Sequence, residues 1–169
     1  MKITVLAGGN STERDVSLVS GTGVYRALKQ KGHKVILLDV YLGVEYEDPE
    51  ALFDDPRDWA EGIAAVQAVN PDLDAIRALK GDDRDFFGKN VCDICKCSDI
   101  VFMALHGANG EDGRIQAAFD LMGIKYTGTD YLSSAICMGK AITKEYFIVN
   151  DIPTPASVTI IKSDSAEKE

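Results

Sequence analysis

The chain has 169 residues, 46% of them hydrophobic and 27% charged, enough for one well-buried domain with a short extension but not for two full-sized domains. Its 27 acidic residues outnumber 18 basic ones, and the formal net charge of −9 opposes the phosphate neutralisation on which nucleic-acid affinity depends. No apolar run approaches the roughly 20 residues of a membrane-spanning helix, and the opening MKITVLAGG reaches its glycine turn too soon for a signal peptide, so a cytoplasmic protein with no membrane partner is expected.

Residues 3–6 are a short β-branched run that stops at Gly8 and Gly9, which reads as a first strand. From 16 to 31, Val16, Val19, Val24, Ala27 and Leu28 recur at helical spacing, with Gly32 placed to end the helix. The run KVILLDV at 34–40 is mostly continuous apolar sequence, of the kind that a parallel strand covered on both faces requires. Strand, helix, strand makes a βαβ unit.

Residues 41–97 read as an elaboration of that unit, with short helices expected at 59–68 and 73–79 and a solvated stretch at GDDRD. Cys92, Cys95 and Cys97 crowd together near its end; a metal or redox centre and ordinary thiols near the start of a strand are the alternatives, and a zinc site would still need a fourth ligand. Buried-strand character returns at 99–105, followed by a helix at 115–122 with Gly123 as its stop and a short strand at 124–127. A long helix is expected over 133–149, then another strand over 157–161 after Pro155. Alternation of this kind implies an α/β open parallel sheet with helices on both faces, in the order 2-1-3-4 or a close variant, and ligands beyond the carboxyl ends of the strands.

Two glycine-rich loops leave strands at that edge. In GGNSTERDVSLVSG, residues 8–21, Ser11, Thr12 and Asp15 are candidate caps for the next helix. Glu13 either complements the helix dipole or meets an ammonium, and neither phosphate-loop glycine pattern is present. In LHGANGEDGRIQ, residues 105–116, Gly107, Gly110 and Gly113 expose backbone amides suited to an anion, while His106 is either a substrate contact or a hydrogen-bonded edge residue. Glu111 and Asp112 are candidate caps more than metal ligands. Lys140 and Lys144 share a helix face, where they either complement the dipole or serve a ligand.

Together, GGNSTERDVSLVSG at 8–21, ALHGANGEDGRIQ at 104–116, YTGTDYLSSAICMGKAITK at 126–144 and IPTP at 152–155 resemble, in order and spacing, the D-alanine–D-alanine ligases. The resemblance covers most of the chain apart from 41–97. It implies a Rossmann-like substrate domain over 1–150 and the start of an ATP-grasp domain over 151–169. It further implies an ATP-dependent ligase that activates one D-alanine as an acyl phosphate for peptidoglycan synthesis, with ATP and Mg2+ as cofactors and a homodimer as the assembly. Carried over position by position, Glu13 matches the glutamate holding the first D-alanine's ammonium, His106 the histidine lining the amino-acid site, and Lys140 a lysine reaching the nucleotide phosphates. Glu13 and His106 are thus the candidate catalytic residues, Ser11 and Gly107 accompany them as candidate substrate contacts, and no metal ligand is expected among these residues. The family's magnesium carboxylates follow the stretch matching Pro155, so the isolated chain is expected to be inactive; the alternative is a non-catalytic binding module derived from the same domain. One departure is Met138-Gly139-Lys140, where the family usually reads Met-Asp-Lys.

Overall fold

The computed structural model of the chain describes residues 1–63, 65, 66 and 69–160. Its centre is a parallel sheet of three strands in the order β2-β1-β3, with β1 at Lys2–Ala7, β2 at Lys34–Asp39 and β3 at Ile100–Met103. The expected fourth strand contracts to a single parallel bridge between Val101 and Tyr126, on the outer side of β3, so the expected order holds with its last member reduced.

Alternation along the strands divides the core into two layers. Ile3, Val5, Ala7, Val35 and Leu37 pack on one face with Tyr25, Leu18, Val24 and Leu28 of α1, which spans Arg14–Gln30. Leu6, Ile36, Leu38 and Val101 pack on the other with Val91 and Ile94 of α3 (Val91–Lys96) and Ile115 and Phe119 of α4 (Arg114–Met122). Covering on both sides explains why the strands are apolar at nearly every position. Gly21 lets α1 lie close to the sheet, since a Cβ there would fall 2.8 Å from that of Ala7 and 3.0 Å from Leu37 Cδ1.

The elaboration at 41–97 supplies core residues more than helices. Leu52 and Phe53, in a short 3-10 helix at Ala51–Asp54, enter the second layer, and Trp59 packs against both layers. Trp59 also donates its backbone N–H to the Tyr25 hydroxyl at 3.2 Å. The helix expected at 59–68 is not formed over its described part: residues 59–62 make a turn ending at Gly62 (φ +77°), and 64, 67 and 68 lie outside the described residues. The expected helix at 73–79 is present as α2, Leu73–Lys80, with the Asp72 side chain accepting the N–H groups of Asp74 and Ala75.

The cysteine cluster lies in and at the end of α3, shortly before β3 begins at Ile100, as ordinary thiols near the start of a strand would. Cys95 is buried, Cys92 and Cys97 are partly buried, all are free thiols, and burial pushes each thiol above the ordinary range, most strongly Cys95. Metal binding requires the thiolate, which this environment disfavours.

The long helix expected over 133–149 is broken. α5 spans Tyr131–Met138, two residues earlier than expected, because Asp130 caps the amides of Leu132 and Ser133; α6 spans Lys140–Val149. Gly139 (φ −82°, ψ 81°) leaves helical geometry between them, and Thr143 Oγ1 donates into the break, 2.6 Å from the Ile136 carbonyl oxygen. Residues 157–160, expected to begin a strand, have no regular structure; no strand lies beside them among the described residues, and Ile161 is outside that set.

Candidate functional site

Because β1 and β3 are parallel neighbours, the loops that follow them leave the sheet at the same edge. The adjacency expected for 8–15 and 106–113 is made by direct contact: Ser11 Oγ donates to the His106 carbonyl oxygen at 3.0 Å. Gly107, at φ +75°, closes the gap, and a Cβ there would lie 2.7 Å from Glu13 Oε2 and 3.2 Å from Ser11 Oγ. Ser11, Glu13, His106 and Gly107 thus form one cluster.

The capping roles expected in the first loop are not made. Glu13 itself occupies the N-cap of α1 and makes no side-chain cap bond, while Ser11 Oγ accepts the Glu13 N–H at 3.3 Å, one turn too early to cap the helix. His106 Nε2 lies 3.2 Å from Ser20 Oγ on α1, and its Nδ1 lies 3.9 Å from Glu111 Oε1, so the ring is hydrogen-bonded to α1 and faces Glu111 on the other side.

Two amides of the second loop are occupied from within. Gly107 N–H donates to Glu111 Oε2 at 2.7 Å and Asn109 N–H to Asp112 Oδ2 at 2.9 Å, so the loop's own carboxylates fill the place that sequence reasoning gave to an external anion. Of the four carboxylates in the two loops, Glu111 and Asp112 are engaged in this way, while Asp15 lies in the first turn of α1. Glu13's has no hydrogen-bond or ion-pair partner among the described residues, and the residue is exposed.

Lys140 is the first residue of α6, not part of a helix's last turn, so the dipole opposes its charge. It is exposed and has no side-chain partner among the described residues. Lys144 differs: its Nζ binds Thr154 Oγ1 at 3.2 Å and the Pro155 carbonyl, pinning the segment after α6. A depression of about 400 Å³ lies between β3 and α5, lined by Met103, Leu105, Glu111, Gln116, Thr127 and Ser134 among others. Among the described residues no group of three or more His, Cys, Asp or Glu is placed to hold a metal ion.

Beneath the first loop lies a polar clamp that sequence reasoning missed. Arg14 is buried and ion-paired with Asp39 at the end of β2, and its NH1 donates to the Gly9 carbonyl at 2.6 Å. Ser17, fully buried, accepts the Gly8 N–H at 2.9 Å and donates to the Ala104 carbonyl at 2.7 Å, joining the exits of β1 and β3. Two signals were available: an aspartate interrupting the apolar run 34–40, and an arginine in a helix's first turn, where its charge opposes the dipole.

A two-faced parallel sheet whose neighbouring strands send glycine loops into contact at their carboxyl edge defines an open α/β domain. Residues 2–129 match the family described as D-ala D-ala ligase N-terminus, and the chain belongs to the D-alanine–D-alanine ligase family. It is 44% identical over 156 residues to the D-alanine–D-alanine ligase of Lacticaseibacillus casei, a match covering 91% of this chain and 43% of that one. It is 45% identical over 157 residues to that of Pediococcus pentosaceus, covering 91% and 44%. The chain thus spans less than half the length of these relatives. The solved Bacillus anthracis D-alanine–D-alanine ligase complexed with ATP superposes with a TM-score of 0.57 at 25% identity, covering 92% of this chain and 39% of that one. D-alanyl-alanine synthetase A from Vibrio cholerae shares the fold, with a TM-score of 0.62 at 22% identity over 98% of this chain and 42% of that one.

Proposed function

We propose that the chain supplies the first amino-acid site of an ATP-dependent D-alanine–D-alanine ligase, with residues 1–150 as the substrate domain and 151–169 leading into the ATP-grasp domain. The observation that carries this reading is the Glu13 carboxylate, unengaged beside Gly107 while its two loop neighbours are consumed by backbone amides. A carboxylate held at a sheet edge without a partner suits an ammonium group.

In the proposed reaction the carboxylate of one D-alanine takes the terminal phosphoryl group of ATP, releasing ADP. The amine of a second D-alanine then attacks the acyl carbon, losing a proton, and phosphate leaves with the bond that breaks. Glu13 holds the first ammonium. His106, steadied by Ser20 and facing Glu111, forms a polar wall, with Ser11 and Gly107 fixing its backbone against the first loop. Lys140 is suited to nucleotide phosphates, since an unpaired cation at a helix N-terminus adds to the attraction of that end for anions. Magnesium, when bound, neutralises phosphate charge; no group among the described residues is assigned to it. A homodimer, a cytoplasmic location and a role in peptidoglycan synthesis complete the proposal. No helix among the described residues is long and apolar enough to cross a membrane.

The test is Glu13→Gln in the full-length protein. Glu13 is exposed here, and bound D-alanine would have to cover it; removing one partner of the desolvated pair so formed costs on the order of 2–5 kcal/mol, so kcat/KM for the first D-alanine falls at least tenfold. A helix-end charge alone is worth about 0.3–1 kcal/mol of stability. Unchanged kinetics with a lowered melting temperature would reduce Glu13 to a helix-end residue and remove it from the amino-acid site.

A further inference from the structure

We propose that Arg14 and Asp39 are positioning residues for the amino-acid site, holding the loop from Gly8 to Glu13 so that the Glu13 carboxylate stays beside Gly107; this rests on the reading of Glu13 given above. The two side chains are only 7% and 15% exposed. The Arg14 guanidinium binds two acceptors at once, Asp39 through NH2 and the Gly9 carbonyl through NH1 at 2.6 Å. Asp39 is itself fixed, because its Oδ1 accepts the N–H groups of Tyr41 at 2.9 Å and Leu42 at 3.1 Å. The first loop turns directly over this carboxylate: a Cβ on Gly8, at φ +77°, would fall 2.7 Å from Asp39 Oδ2.

A buried ion pair is weak evidence for stability, since apolar replacements often serve as well. What the guanidinium adds is direction, because its rigid planar fork sets the angle between two acceptors. One acceptor belongs to β2 and the other to the loop, so the pair transfers the position of the sheet edge to Gly9. From Gly9 only three residues intervene before Glu13. Neither Arg14 nor Asp39 is among the atoms meeting Gly107, which are those of Glu13 and Ser11, and their effect on substrate therefore runs through Glu13.

A double-mutant cycle in the full-length protein tests this, with kcat/KM for the first D-alanine, KM for ATP and melting temperature as readouts. Arg14→Met alone is expected to lower kcat/KM for D-alanine about tenfold or more while KM for ATP stays within about twofold, and Arg14→Met combined with Glu13→Gln to fall no more than about threefold below Glu13→Gln alone. Additive losses, or an Arg14→Met enzyme that melts earlier with unchanged kinetics, would make the pair merely structural and overturn the proposal. Should Arg14→Met fail to fold, Asp39→Asn, which retains an oxygen for Tyr41 and Leu42, carries the same cycle and the same decision. The two readings fail separately: a Glu13→Gln enzyme with normal kinetics ends the site assignment and the positioning role with it. A damaged Glu13→Gln enzyme with an additive cycle ends the positioning role alone.

Discussion

Ser17→Ala isolates the link between the two loops from any question of substrate. The hydroxyl accepts one buried backbone N–H and donates to one buried carbonyl, at 2.9 and 2.7 Å, and Ser17 has no exposed surface through which water could replace it. Each buried group left unpaired costs about 1–3 kcal/mol, while alanine's better helix propensity returns at most roughly 0.7 kcal/mol. The net loss is about 1–6 kcal/mol, which for a domain of this size lowers the melting temperature by on the order of 10 °C. Thr22→Ala is the matched control on the same helix: its Oγ1 only bonds back to the Leu18 carbonyl at 2.9 Å, a contact that contributes little. Thermal unfolding of residues 1–169, followed by far-UV circular dichroism and calorimetry, decides the matter. If Ser17→Ala melts within about 2 °C of the parent, or if Thr22→Ala falls as far, the clamp does not hold the loops together.

Gly107→Ala is expected to lose about 1–2 kcal/mol for a left-handed alanine and also to push the Glu13 carboxylate aside, lowering kcat/KM for D-alanine in the full-length protein about tenfold. Gly123→Ala, at φ +67° with open space around it, carries the strain without the displacement; equal kinetic damage in both variants would count against the Glu13 arrangement. Among the thiols, exposed Cys137 should react first with a disulfide reagent and buried Cys95 only on unfolding. Because burial raises the Cys95 thiol, the folded state keeps its proton where the unfolded state has lost it, so stability is complete below about pH 8.5 and declines above it. Urea unfolding across that range should show this decline in the parent and less of it in Cys95→Ala; identical slopes would argue that the thiol is not buried.

The parts of the fold legible in the sequence were those whose pattern is set locally or by burial on two faces. The runs 3–6, 34–40 and 99–105 locate all three strands, and α4 ends where expected because Gly123 takes the left-handed conformation that closes a helix. Residues 41–97 resisted because their order comes from distant partners: Trp59 is placed by Tyr25, and Asn90, at φ +62°, by its bonds to the Val44 and Tyr46 carbonyls. The break at Gly139 was misread since apolar spacing continues through it; the glycine was noticed, but not the Thr143 hydroxyl that makes leaving the helix tolerable. At the site, loop adjacency followed from parallel topology, whereas Ser17 and the Arg14–Asp39 pair depend on partners from three elements that no local pattern announces.

The same break bears on the proposed role of Lys140. Had one helix run from 133 to 149, Lys140 would sit in its middle, with the adjacent amides bonded inside the helix. Ending α5 at Met138 makes Lys140 the first residue of a new helix, beside N–H groups that have no intrahelical acceptor. A cation there is unfavourable by about 0.3–1 kcal/mol in isolation, whereas the glycine just before it closes α5 with its N–H and accepts the Thr143 N–H of α6 at its carbonyl. A local rule broken at Lys140, with no compensating contact for it among the described residues, agrees with the proposal that this end meets an anion. On the proposed reading the glycine marks the helix end at which a phosphate finds both a charge and free amides.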